Sequence, residues 1–474
     1  MSSATSLAPL LADLAEAEHI PALAVATRAG EDFAFAASGA ADLATGRAPD
    51  ADTIFPIGSC SKAFIATAIA ILVDSGAICY DTPVAAVVPG FELATPQLTC
   101  GLTVRDMLSH NSGLARHDAI FEVQPRGVDA RELVRRLALI PPRAPFRYRM
   151  SYQNHMYALA SVLVSEVAGE PWDQFLARHV LVPAGMTRTF AHVADFAADP
   201  NVAFGYGLDA GGAPRQLAFD DVYHLAGAAG CIASTAHDMD RWLRLQLGCG
   251  VIDGTRVFSE AAAAALHAPQ TIIRPGEFFP FEATELDFRS YGLGWTIQTL
   301  HGRKLVAHGG SIRGFRTLAG FAPDDDVAFF IAGNLEGMTI HEPLGLEVAA
   351  RLLGWTQDDW LSKLGALMAP LAEAGAASEA EFWASAAGAV PAHPDTAYTG
   401  HYTSELYGEA EIRRRDGALE AIIGQMRLEL RPVGGDGFAS VLPNGVHYPL
   451  TFDVPGEGAV GFDWTPDTPV RFNR

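Results

Sequence analysis

The sequence predicts a mixed α/β (α+β) domain of helices packed on a sheet, followed by a small β-barrel. Three observations carry this. Strand-like runs stand near both ends of the first 356 residues with helical runs between them, the order expected when the first and last strands share one sheet. From about residue 397 the pattern becomes eight short alternating runs broken by turn signals, which argues for a closed barrel. At 474 residues the chain is too long for one small core, so two domains are expected.

Each element follows from its local pattern. The opening MSSATSLAPLLADLAEAEHIP has no basic segment and carries acids among its apolar residues, so it reads as an amphipathic helix and not as an export signal. ALAVAT and FAFAASG, within 22–42, read as two strands around a turn at 28–32. Residues 59–75 begin at a Gly-Ser break and continue FIATAIAILVDSG, a helix apolar almost all round. Further helices are expected over 103–110, 129–140, 153–168 and 236–247. Strands return over 290–334, and a last helix runs through about 343–354. The Ala- and Glu-rich stretch 357–395 reads as a linker, helical in places. The predicted division is therefore 1–356 for the first domain, 357–395 for the linker and 396–474 for the barrel. In the barrel, runs such as EAEIRRR, MRLELRPV and YPLTFDV are separated by turns such as Asp416-Gly417 and Gly434-Gly435-Asp436-Gly437.

Composition narrows the function. A formal net charge of -22 with scattered arginines argues against nucleic acid, because phosphate contacts need clustered cations. It leaves room for a mild attraction toward amine-bearing substrates. No apolar run approaches a membrane span, so no membrane partner is expected. Five cysteines without a C-x-x-C suit free thiols, and a cytoplasmic location is the consistent expectation. H-E-x-x-H, G-x-x-x-x-G-K and EF-hand patterns are absent, and no cofactor is expected. Cys60 reads as a small packed side chain.

The chemistry is read from three short motifs. In PIGSCSKAF, Ser59 and Lys62 lie three apart at a helix start, which puts both on one face. Lys62 is one of only three lysines in a chain with 33 basic residues. Unlike arginine, a desolvated lysine gives up its proton and can act as a base toward a serine hydroxyl. Tyr152 and Asn154 flank the start of another apolar helix. A tyrosine whose pKa is lowered by a cation can serve as phenolate base or as proton relay, and an asparagine amide can hold the lysine and a substrate carbonyl. His308-Gly309-Gly310-Ser311 follows a strand run, where glycines allow a close backbone approach. Each motif alone is more simply a cap, a packed tyrosine or a strand end.

Taken together, S-x-x-K, Y-x-N and a strand-borne small-residue motif resemble the penicillin-recognising serine enzymes. Y-x-N resembles the class C β-lactamase and DD-peptidase branch, with H-G-G in place of K-T-G. The stretches LSHNSGL (108–114), LAGAAGCIASTAHDMDRWL and YGLGW resemble the S12-type β-lactamase-related serine hydrolases. The resemblance covers about residues 5–350, and the C-terminal barrel resembles the lipocalin-like domain found after some of these enzymes. It implies a β-lactamase/transpeptidase-like domain with an antiparallel sheet flanked by helices. It also implies the roles: Ser59 as nucleophile, Lys62 coupled to Tyr152 as base, Asn154 orienting lysine and substrate, and His308 tuning Tyr152 or the leaving group. The N–H groups of Ser59 and Ser311 would form the oxyanion hole, with Gly310 and Arg313 on the substrate side.

Amide bonds of small peptides, D-residue peptides among them, are the implied substrates. An esterase, a peptide-cyclising acyltransferase and a non-catalytic scaffold remain alternatives, and a homo-oligomer is left open. His308 would be a weaker, pH-dependent cation than the lysine of K-T-G, which argues against reading a substrate carboxylate unless Arg313 or Arg316 compensates. Pocket walls are expected near 115–125, 143–151, 205–225 and 270–290.

Overall fold

The computed structural model describes residues 3–123, 125, 128–209, 211–219, 227–274, 286–355, 359–442 and 446–474. Its centre is an eight-stranded antiparallel sheet. The strands are β1 (Ala22–Ala29), β2 (Asp32–Gly39), β3 (Thr271–Ile272), β4 (Leu286–Tyr291), β5 (Thr296–Leu300), β6 (Arg303–Ile312), β7 (Phe315–Ala322) and β8 (Val327–Gly333). Their spatial order is β2-β1-β8-β7-β6-β5-β4-β3. The first strand thus lies beside the last, with Leu23 opposite Gly333, as the order of runs predicted.

Both faces of the sheet are covered, so its strands are apolar on successive residues rather than alternately. The period-2 geometry still sorts them. Leu23, Val25, Phe329 and Ile331 face α1 (Ser3–Ala17) and α5 (His341–Leu352). Ala24, Ala26, Ala328 and Phe330 face the other side, with the core of α2 (Ser61–Asp74), α3 (Asn154–Ala168) and α4 (Ala236–Leu247). There Phe64 of α2 stacks on Trp242 of α4 at 3.9 Å. Packing surrounds α2, which explains why its sequence shows no polar face.

Where a linker is expected, the chain forms a 26-residue helix, α6 (Trp360–Ser385), whose Trp360 and Leu364 are buried against the β1 side of the core. Ala, Leu and Glu favour helix on propensity alone, which accounts for its length. The barrel closes as predicted through β9 (Gly400–Ser404), β10 (Gly408–Arg415), β11 (Ala418–Ile423), β12 (Met426–Gly434), β13 (Gly437–Val441), β14 (His447–Asp453), β15 (Gly461–Trp464) and β16 (Val470–Asn473). Alternate residues, such as Met426, Leu428 and Leu430, point inward. The barrel docks on the segment following residue 115: Arg136 Nη1 donates to Leu406 O at 2.9 Å, and Gln425 N to Val123 O at 2.8 Å. Among the described residues, no helix is long and apolar enough to cross a membrane.

Candidate active site

The site forms where three elements meet: the turn into α2, the start of α3 and the last part of β6. β6 pairs with β5 only from Arg303 to Ala307, while its pairing with β7 continues to Ile312. Residues 308–312 therefore keep one edge free of β5. The 3₁₀ turn Gly58–Cys60 packs against this stretch. A Cβ on Gly58 would fall 2.7 Å from Ser311 N, and one on Gly310 would fall 2.0 Å from Ile57 O. Glycine at both positions is what lets the two backbones approach.

Lys62 is fully buried on the first turn of α2. Its Nζ lies 2.9 Å from Ser59 Oγ, 2.7 Å from Asn154 Oδ1 and 2.7 Å from Ala229 O. Burial pulls its pKa down to about 7, with Arg116 pushing the same way and the Asp118 carboxylate opposing both. A neutral amine has two N–H bonds and one lone pair. Two carbonyl oxygens take the donors, which leaves the lone pair for the serine hydroxyl. Asn154 is free for this contact because it is the first residue of α3, whose N-cap is Gln153. Its Nδ2 donates to Asp118 Oδ2 at 3.0 Å, and Arg116 Nε donates to the same oxygen at 2.5 Å.

The Tyr152 hydroxyl is hydrogen-bonded with Ser59, and its ring lies 5.0 Å from Lys62 Nζ. Burial raises its pKa above that of an ordinary phenol, outweighing the serine bond and Arg116. The direction is opposite to the expected lowering and favours the phenol form, so of the two expected roles the proton relay fits it better than the phenolate base. His308 departs further. It is buried, its Nε2 lies 2.7 Å from the Tyr291 hydroxyl, and its ring centroid is 6.3 Å from that of Tyr152. Burial and Lys62 lower its pKa to about 3, so it is a neutral prop behind Tyr152 and not the pH-dependent cation expected from H-G-G. Cys60 is packed as expected, its Sγ 3.0 Å from His308 O, and burial pushes its thiol up to about 12.

The remaining motifs buttress this centre. In LSHNSGL, the His110 ring packs 4.3 Å from Tyr152 and its Nδ1 accepts from Gln153 N at 3.1 Å. LAGAAGCIAS supplies the Ala229 carbonyl, and Ile232 N donates to Ser61 Oγ at 3.1 Å. In YGLGW, Gly294 leaves no room for a side chain, since a Cβ there would meet Lys62 O at 2.9 Å.

Ser59 opens into a cavity of about 870 Å³. Gly310, Ser311, Arg313 and Arg316 line it, as does the expected 115–125 wall through Arg116, Asp118 and Glu122. Arg215 and Leu217 represent the 205–225 wall. The 143–151 wall does not reach the cavity, and neither do residues 270–274; residues 220–226 and 275–285 lie outside the described residues. Sequence reasoning missed Glu342 and the barrel residues Leu442, Val446, Tyr448 and Asp467, all of which line the cavity. The barrel also pins the Asp118 loop: Thr468 Oγ1 donates to Arg116 O at 3.1 Å, and Ala119 N to Asp467 Oδ2 at 3.3 Å. Periodicity carries no signal for such loop-borne contacts. Among the described residues, no cluster of ligands suits a metal ion.

Comparison with known proteins agrees with the fold. The Beta-lactamase family model matches residues 7–350. An unguisins hydrolase from Aspergillus violaceofuscus is 28% identical over 94% of this chain and 85% of its own length. A D-aminopeptidase from Cereibacter sphaeroides is 28% identical over 73% of this chain and 64% of its own. Among solved structures, the octameric penicillin-binding protein homologue from Pyrococcus abyssi superposes with a TM-score of 0.67 at 19% identity, covering 99% of this chain and 100% of that one.

Proposed function

The chain belongs to the beta-lactamase family, and from that footing we propose that it is a serine hydrolase cleaving peptide amide bonds through an acyl-enzyme on Ser59, with D-residue peptides among its substrates. The observation that carries this is Lys62: buried, held by two carbonyl oxygens and facing the Ser59 hydroxyl.

In the reaction, Ser59 Oγ attacks the amide carbonyl while its proton passes to Lys62 Nζ. The oxyanion is stabilised by the N–H groups of Ser59 and Ser311, brought close by Gly58 and Gly310. Tyr152 gives its proton to the leaving nitrogen and is reprotonated by the Lys62 ammonium as the C–N bond breaks. Water then attacks the ester, losing its proton along the same pair, and Ser59 regains its hydrogen as the acid leaves. The protonated state of Tyr152 favours amides over esters, because an amine leaving group requires a proton and an alkoxide requires it less. A D-aminopeptidase among the relatives supports a substrate with a free amine.

The test is a set of short peptides with D- or L-residues at each position, incubated with wild type and with Ser59→Ala, with product masses read. Products heavier by water that depend on Ser59 support the reading and give the stereochemistry. Cyclised products, or turnover restricted to esters, would replace it with acyl transfer or esterase chemistry. Cleavage that survives Ser59→Ala would overturn it.

A further inference from the structure

One carboxyl group in the cavity has no part in the chemistry above. Glu342 stands in the first turn of α5 and lines the cavity. Its Oε1 occupies the place of a side chain at Gly309: a Cβ there would lie 2.6 Å from it. Among the described residues it makes no hydrogen bond, and Arg289 of β4 is the charged group acting on it. Burial pushes its pKa up to about 7, so the group is ionised in mildly alkaline solution.

Its place along β6 decides which half of the substrate it meets. The leaving nitrogen has to lie on the Tyr152 side, because the phenol protonates it. The Tyr152 ring neighbours the His308 ring, immediately before Gly309 on the strand. Gly309 lies two residues from Ser311, roughly 7 Å along an extended strand. The residue that follows the scissile bond therefore runs beside Gly309, and its terminal group comes up against Glu342. Arg313 and Arg316 also line the cavity, Arg316 lying opposite Ser311 on β7.

We propose that Glu342 is a specificity-determining residue, admitting leaving groups that end in a hydrogen-bond donor such as a carboxamide or amine and turning away those that end in a carboxylate. This rests on the amidase reading above. A carboxylate facing the Glu342 carboxylate is repelled, whereas an N–H donor satisfies an acceptor that makes no hydrogen bond among the described residues.

The test uses two dipeptides with the same acyl residue, one ending in a carboxamide and one in a free carboxylate, at pH 8.5. kcat/KM is measured for wild type, Glu342→Gln and Gly309→Ala, and the ratio within each protein is compared, so that a general loss of activity cancels. Wild type is expected to prefer the amide by roughly tenfold or more. Glu342→Gln should bring the ratio to within about threefold of unity, and Gly309→Ala, whose methyl displaces the carboxyl, should move it the same way. A wild-type ratio near one, or a ratio unmoved in both variants, overturns the proposal while leaving the amidase reading intact. Absence of Ser59-dependent cleavage of either dipeptide overturns the parent reading and this one with it.

Discussion

Replacing Asp118 by asparagine should move the pH dependence of Ser59 reactivity toward acid. Lys62 serves as a base only when neutral, so with a pKa of about 7 the reactivity of Ser59 rises as pH passes upward through that value. Asp118 opposes the neutral form: its negative charge favours the ammonium. The two groups are joined by hydrogen bonds of 2.7 and 3.0 Å on either side of the Asn154 amide, which places them roughly 7 Å apart. At that separation and an effective dielectric of about 20, the attraction is about 2 kcal/mol, or between one and two pKa units. Removing it lowers the Lys62 pKa, and Arg116, freed of its partner, pushes the same way. The midpoint should fall to about 5.5, while the plateau rate drops as Asn154 loses its anchor. The assay is the second-order rate of fluorophosphonate labelling from pH 5 to 9, which needs no knowledge of the natural substrate. A midpoint that stays at about 7, or rises, would refute the assignment of Lys62 as the titrating base.

Three further outcomes follow from the same geometry. Tyr152→Phe should reduce amide turnover by roughly 10²–10⁴-fold and turnover of a matched activated ester by much less, because only the amide needs the phenol proton; equal losses would sink that role. Gly310→Ala should cost roughly 100-fold or more in labelling rate, since its methyl would drive the Ile57 carbonyl and the nucleophile turn away from β6, as one oxyanion donor is worth that much; near-wild-type labelling would show that the backbone approach is not needed. Acid should unfold the protein early. His155, His267 and His308 are buried and held near a pKa of about 3, whereas the unfolded chain protonates them near 6.5. Their stability contribution is complete above 6.5 and is lost as pH falls toward 3, about 4 kcal/mol in total by pH 5.5. Chemical denaturation at pH 7.5 and 5.5 measures this, and equal stability at both would contradict it.

The parts of this molecule legible in the sequence are those whose signal is local. Ser59 and Lys62 share a helix turn, Tyr152 and Asn154 flank a helix start, and the glycines of 309–310 mark a close approach on a strand. The barrel was legible because eight alternating runs with turn residues have few other solutions. What stayed hidden depends on tertiary placement. Asp118 and Arg116 sit on an irregular loop, and their role exists only because that loop passes the Asn154 amide. Glu342 reads as an ordinary acid at a helix start, yet it fills the space of a missing side chain on a strand distant in sequence. His308 differs from its expectation for a related reason: strand periodicity gives its face but not the Tyr291 hydroxyl that occupies it. The 357–395 stretch reads as a linker, helical in places, from its Ala- and Glu-rich composition, and most of α6 does remain exposed.

The pairing of the first strand with the last has a consequence during synthesis. Ser59 leaves the ribosome early, but the strand that must lie beside it follows about 250 residues later, and Thr317 reaches Ile57 O across 260 positions. At a synthesis rate of roughly 5–20 residues per second, that is on the order of ten to fifty seconds. Asn154 and Ala229 follow within that interval, but β6 comes last, so until then the nucleophile turn lacks the strand that bears Ser311 and the site stays open to solvent. Closing the sheet is the event that arms the hydroxyl, and a ribosome-bound fragment carries the motif without the reactivity.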